Sequence, residues 1–239
     1  MTGKDKDPAL RVLVCLVLVT AAVMLFLPRE RWSGLDARKT LLLVAAASIV
    51  ACRPVRISRL RIELVAFHPF LLMAIAISGA RAAALTAMCG LLVAALARRP
   101  LPPTIRLLFN LGTVTIATIS AGAVFVGLGG APREDLSRTV WPLVGAGATF
   151  FLVSTVLVAV AIAMERGQGV LASWRASLGW TVWSNVAGVT IALAGTALFA
   201  QSQLAALAVT TAPCWLIVVL YRAEAAMRGT GDVFLSPQR

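Results

Sequence analysis

Residues 107–128 read LLFNLGTVTIATISAGAVFVGL, and this stretch decides the fold class. Its twenty-two residues contain no Asp, Glu, Lys or Arg. A helix needs about 20 predominantly apolar residues to cross the hydrocarbon core of a bilayer. We therefore predict that this segment is a transmembrane helix. Similar apolar segments recur along the rest of the chain.

The composition of the whole chain also indicates a membrane protein. Of its 239 residues, 59% are hydrophobic and 13% are charged, and the mean hydropathy is +0.89. Soluble domains are about 45–50% apolar and about 25% charged. The composition excludes a soluble domain, a disordered chain and a nucleic-acid-binding module, although the net charge is +12. The predicted fold class is all-α, a polytopic transmembrane helical bundle.

Eight apolar segments of membrane-compatible length follow one another along the chain. They are residues 10–27, 35–52, 64–78, 80–97, 107–128, 140–164, 178–200 and 204–221. The second segment is the weakest, because only residues 41–52 are free of charge. About eight spans are therefore predicted, and seven are the alternative. Residues 1–222 form the predicted transmembrane domain, and residues 223–239 a short cytoplasmic tail.

The basic residues predict the orientation of these spans. If both termini are cytoplasmic, fifteen of the 22 Lys and Arg residues lie on the cytoplasmic side, as the positive-inside rule expects. Anionic lipid headgroups attract such residues. The arginines predicted to lie at the headgroups are Arg53, Arg56, Arg59, Arg61, Arg98 and Arg99. In residues 53–62 arginines alternate with apolar residues, which suits a short strand or interfacial ribbon. Docking of a partner protein is the alternative role of this ribbon.

Charged side chains are absent from the middle of every predicted span. This argues against an ion-coupled carrier and against an intramembrane enzyme, both of which need buried ionisable groups. A single histidine makes no zinc site by itself, and the four cysteines form no C-x-x-C pair. We therefore expect no catalytic residue, no metal and no cofactor, and we expect that the protein is not an enzyme.

Polar side chains inside the apolar segments are the candidate ligand-binding residues, because polar groups are costly in lipid. His68 precedes Pro69, where a kink would open a pocket. Another group of polar and aromatic residues lies near the start of the seventh segment. The candidates are His68, Asn110, Thr113, Trp180, Thr181, Ser184 and Asn185. Helix packing, hydrogen bonding between helices and interfacial anchoring are the alternative roles of these residues.

Small residues spaced by four form stripes on two segments. They are Gly188, Ala192, Thr196 and Ala200 on the seventh segment, and Gly145 and Thr149 on the sixth. Stripes of this kind let two helices approach closely, either within one chain or between protomers. The sequence alone leaves both possibilities open.

A series of features within residues 50–222 resembles known membrane proteins. A basic extended segment leads into an apolar helix, Gly79 and Ala80 form a turn before a small-residue helix, and a basic connector with prolines precedes Asn110. This series resembles the multi-pass membrane sensor modules that precede HD-GYP, GGDEF or histidine-kinase domains in bacteria. It is also similar to the S components of energy-coupling-factor vitamin transporters. Either resemblance implies ligand recognition inside a helical bundle, with Asn110 at the polar opening of its helix.

Three functions follow as expectations. The first is a non-enzymatic module of the bacterial plasma membrane that binds a small or lipid-like ligand, or senses membrane state. Because the chain carries no signalling domain, such a module would signal through a separate cytoplasmic or membrane protein. The second is an S-component-like substrate-binding subunit of a transporter. The third is a membrane assembly or scaffold protein, and a homo-oligomer is a further expectation; nucleic acid is not expected as a partner.

Overall fold

The structure is a computed structural model that describes residues 8–26, 36–52, 55–57, 62–64, 67–97, 101–131, 136–216 and 219. Its helices are α1 (Pro8–Phe26), α2 (Ala37–Ala51), α3 (His68–Ser78), α4 (Ala80–Leu96), α5 (Thr104–Gly127), α6 (Leu136–Arg166), α7 (Val170–Phe199) and α8 (Gln203–Leu216). Its strands are β1 (Val55–Ile57) and β2 (Ile62–Leu64). The predicted tail and the arginines at positions 53, 59, 61, 98 and 99 lie outside the described residues.

Four helical stretches in the described chain are long and apolar enough to cross a membrane. They are α1, α5, Arg138–Arg166 within α6 and Thr181–Phe199 within α7. Helices α3, α4 and α8 are also apolar but shorter. The prediction of a helical membrane protein is confirmed. The count of eight spans and the cytoplasmic position of both termini stay predictions.

The third predicted segment differs from the structure at its start. The sequence predicts an apolar helix from residue 64, whereas Ile62–Leu64 form a strand and the helix begins at His68. Pro69 explains the boundary, because proline fits the first turn of a helix but disfavours helix before it. At 1.5 Å per residue, α3 is about 16 Å long, roughly half of the hydrocarbon thickness.

This short helix lies in the centre of the bundle. Every residue from Pro69 to Ile77 is buried, and Phe70, Leu71 and Leu72 have no exposed area. Helices α2, α4, α5, α6 and α7 all pack against α3. The core of the described chain is therefore built around a helix that is too short to cross the hydrocarbon by itself.

Two contacts fix the direction of α3 relative to α7. His68 lies against Gly188 near one end of the contact, and Met73 lies against Gly195 further along. Because the residue numbers of α3 and α7 increase in the same direction from the first contact to the second, the two helices run parallel. After α3 the chain reverses at Gly79, whose φ of 88° suits glycine, and α4 packs back along α3.

A two-stranded antiparallel ribbon connects α2 to α3. Its register pairs Val55 with Leu64, Arg56 with Glu63 and Ile57 with Ile62. The extended conformation predicted for residues 53–62 is therefore confirmed in β1.

Helix α1 lies at the edge of the bundle and packs mainly against α5. Gly112 permits this approach, since a Cβ there would lie 2.6 Å from Cγ1 of Val17. On the opposite side of α1, Leu16 and Phe26 are exposed, as lipid-facing side chains would be.

Candidate functional site

The candidate site lies where the first residue of α3 meets the middle of α7. The Nε2 edge of the His68 imidazole lies against the backbone of Gly188, and a Cβ at position 188 would overlap Nε2. The ring also lies beside the backbone of Ser184. Only glycine at position 188 allows the two helices to meet in this way.

The imidazole has hydrogen-bonding capacity that the described chain does not use. Nε2 of His68 is buried and has no hydrogen-bond partner among the described residues. Each nitrogen of a neutral imidazole either donates or accepts a hydrogen bond. A buried polar atom without a partner costs about 1–3 kcal/mol, so this atom needs an explanation.

Two more polar side chains stand one helical turn before Gly188. Ser184 and Asn185 are four and three residues away from it, which places both beside Gly188 on the helix surface. Both side chains are half-buried. The backbone of Ser184 forms a hydrogen bond with the His68 imidazole. The structure thus brings together two of the predicted ligand-binding residues, His68 and Ser184, and the helix spacing places Asn185 beside them.

The other candidates have different surroundings. Asn110 is exposed on α5, whereas Thr113, one turn further on, is buried with an unpartnered hydroxyl. The Thr181 hydroxyl donates to the Leu178 carbonyl at 3.3 Å. Trp180 belongs to α7, and its side chain lies outside the described part. A role for these residues in ligand binding stays a prediction.

The small-residue stripes are used for packing inside the chain. Gly188 meets His68, Ala192 is fully buried, and Gly145 meets Leu128 at the end of α5. The hydroxyl of Thr196 is buried without a partner. The seventh segment therefore turns its small residues toward the core of the same molecule.

Helices α3, α7 and α8 meet at a second point, which the sequence analysis did not predict. The Thr210 hydroxyl of α8 lies 3.2 Å from Sδ of Met73 and donates to the Ala206 carbonyl at 2.8 Å. Gly195 makes room for both side chains. The only sequence signal for this contact is a glycine and a threonine within apolar helices, which is common in membrane proteins.

Polar contacts also join the helices near one end of the bundle. Arg106 at the start of α5 forms an ion pair with Glu165 at the end of α6. Nε1 of Trp174 donates to the Thr155 hydroxyl at 3.1 Å. The start of α5 and the end of α6 therefore lie at the same end of the molecule.

The described residues contain no group of three or more His, Cys, Asp or Glu side chains that could hold a metal ion. The cysteines are free: Cys15 and Cys52 are exposed, and Cys214 is buried.

A comparison with protein-family models gives one match, MASE9, over residues 38–220, which is more than three quarters of the chain. The chain belongs to the MASE9 family. MASE9 domains are membrane-associated and of the sensor type, so the predicted resemblance to membrane sensor modules is confirmed at this level. The MASE9 match includes the ribbon and the α3–α7 contact and begins after α1. No curated protein and no solved structure matches the chain.

Proposed function

We propose that this MASE9 protein is a non-enzymatic sensor of the bacterial plasma membrane, which binds a small or lipid-like ligand inside its helical bundle and signals through a separate protein. The family supports the sensing role. The observation that carries the ligand-binding part is the buried, unpartnered Nε2 of His68 beside Ser184 and Asn185. A buried polar atom without a partner, beside two further polar side chains in an apolar bundle, is typical of a ligand site.

The proposal includes eight crossings with both termini in the cytoplasm. The ion pair between Arg106 and Glu165 supports this arrangement, because it joins two connectors that the eight-span topology places on the cytoplasmic side. Four helices of spanning length and three shorter apolar helices supply most of the crossings. The short α3 reaches the cytoplasmic surface through the β1–β2 ribbon.

The position of Cys52 tests this topology. Cys52 ends α2 and is exposed, so in the eight-span topology it lies on the cytoplasmic side. We expect a membrane-impermeant maleimide to label it in inverted membrane vesicles and not in intact spheroplasts. Cys52→Ser serves as the control, because it reports labelling of the other cysteines. Labelling of Cys52 from the outside would show that α2 does not cross or that the orientation is reversed.

A stable protein partner is the second expected result. After solubilisation in a mild detergent, we expect the full chain to co-purify with one cytoplasmic or membrane protein in a fixed ratio. A signalling protein would support the sensor, whereas an ATPase would support the transporter-subunit alternative. Recovery of only the solitary monomer under several mild detergents would contradict signalling through a separate protein.

A further inference from the structure

We infer that the ligand of the α3–α7 contact carries an uncharged head with hydroxyl and carbonyl groups, and that it binds by drawing the His68 ring away from Gly188. This inference rests on the proposed function and names the ligand chemistry of the same site. Three observations support it: the packing of the His68 ring, the charge of the surrounding helices and the position of α3 in the bundle.

The packing of the ring sets the binding mode. Nε2 is enclosed while the imidazole rests on Gly188, so no ligand atom reaches it in that position. Rotation of the His68 side chain away from α7 would expose Nε2 next to Ser184 and Asn185. A ligand that binds there replaces one contact between the helices with hydrogen bonds to three side chains, and so favours the rotated state.

The surrounding helices set the charge of the ligand. Helix α3, the α7 segment Thr181–Phe199 and α8 contain no Asp, Glu, Lys or Arg. A charged head at the α3–α7 contact finds no countercharge on these three helices, and its desolvation is costly in an apolar environment. Imidazole, hydroxyl and carboxamide groups can each donate and accept hydrogen bonds. They match a head that does both, such as the hydroxyls and ester carbonyl of a monoacylglycerol.

The position of α3 connects binding to the ribbon. His68 is the first residue of a helix whose other residues up to Ile77 are buried against five neighbouring helices. Release of the ring from Gly188 removes the contact that holds the start of α3 to α7. Strand β2 ends at Leu64, four residues before His68, so a shift at the start of α3 acts on the ribbon directly.

The single histidine of the chain allows a selective test. The full chain, purified with a tag that lacks histidine, is labelled with ¹⁵N-histidine and placed in phosphatidylcholine nanodiscs. Monoolein and oleate are then added separately, since they share an acyl chain and differ in the charge of the head. We expect monoolein to shift the Nε2 resonance in a saturable manner and oleate to leave it unchanged. No shift with monoolein, or an equal shift with oleate, would overturn the inference.

Two variants identify the binding residues. Ser184→Ala with Asn185→Ala removes two hydrogen-bonding groups and is expected to raise the half-saturating monoolein concentration by about tenfold. Thr190→Ala is the matched control, because Thr190 is exposed on α7 and its hydroxyl bonds only to the Val186 carbonyl. An unchanged response in the double variant would also overturn the inference.

The thermal stability of the same samples separates this inference from the proposed function. If either lipid raises the unfolding temperature without moving the His68 resonance, a ligand binds elsewhere in the bundle. That outcome would overturn the assigned head and binding mode while the sensor proposal stands. Failure of the sensor proposal shows separately, in the purification of the partner.

Discussion

Replacement of Phe70 by alanine is expected to lower the free energy of unfolding by about 3–5 kcal/mol. Phe70 has no exposed area and lies in α3, which five helices surround. Removal of the ring leaves a cavity at the point where those helices meet. Because packing rather than solvent exclusion holds helices together in lipid, the lost contacts are not recovered elsewhere. The measurement is reversible unfolding of the purified protein in mixed detergent micelles.

Phe26→Ala provides the matched control for this experiment. Phe26 ends α1 and is 71% exposed, so the same truncation there removes few protein contacts. We expect a change within about 0.5 kcal/mol, as for other exposed positions. Equal losses in the two variants would show that α3 is not the centre of the bundle, and would refute the arrangement on which the candidate site depends.

The central position of α3 could not be predicted from the sequence. An apolar run predicts insertion into the membrane, but lipid tails are as apolar as leucine side chains. Nothing in HPFLLMAIAIS therefore distinguishes a helix enclosed by protein from one that faces lipid. The length of α3 was predictable only in part: Pro69 indicates a helix start, yet the apolar residues before it extend the predicted segment to residue 64.

The sequence predicted part of the ribbon, whereas it did not predict how the residues of the candidate site come together. Alternation of arginine with apolar residues has the period of a strand, and the structure has β1 within that stretch. The site joins His68 to residues of α7 more than one hundred positions later in the chain. Polarity identified both partners separately, whereas their contact depends on how α3 and α7 pack.

Asn110 is a candidate that sequence reasoning treated like His68 but that the structure places differently. Its place within an apolar segment made it a ligand-binding candidate by the same reasoning as His68. The structure leaves it exposed on α5. Burial, which separates the two residues, depends on the neighbouring helices and not on the residue itself.

Gly188→Ala is expected to destabilise the protein by about 1–3 kcal/mol, the usual cost of forcing an extra methyl group into a packed core. The new Cβ would occupy the space of the His68 ring and push α3 and α7 apart. Gly127→Ala is the control, because a Cβ at Gly127 has open space around it. Since alanine favours helix over glycine, this control should be neutral or slightly stabilising.

A double-mutant cycle shows whether the cost comes from the imidazole. In a His68→Ala background, the methyl group at position 188 no longer meets the three atoms nearest to it, which all belong to the imidazole, and the helix preference of alanine favours the substitution. We therefore expect Gly188→Ala to be neutral or stabilising there, with a coupling energy of about 1 kcal/mol or more between the two positions. The same cost in both backgrounds would place the conflict with another part of α3. In that case His68 would not hold α3 to α7, and a ligand that moves the ring would leave the bundle unchanged.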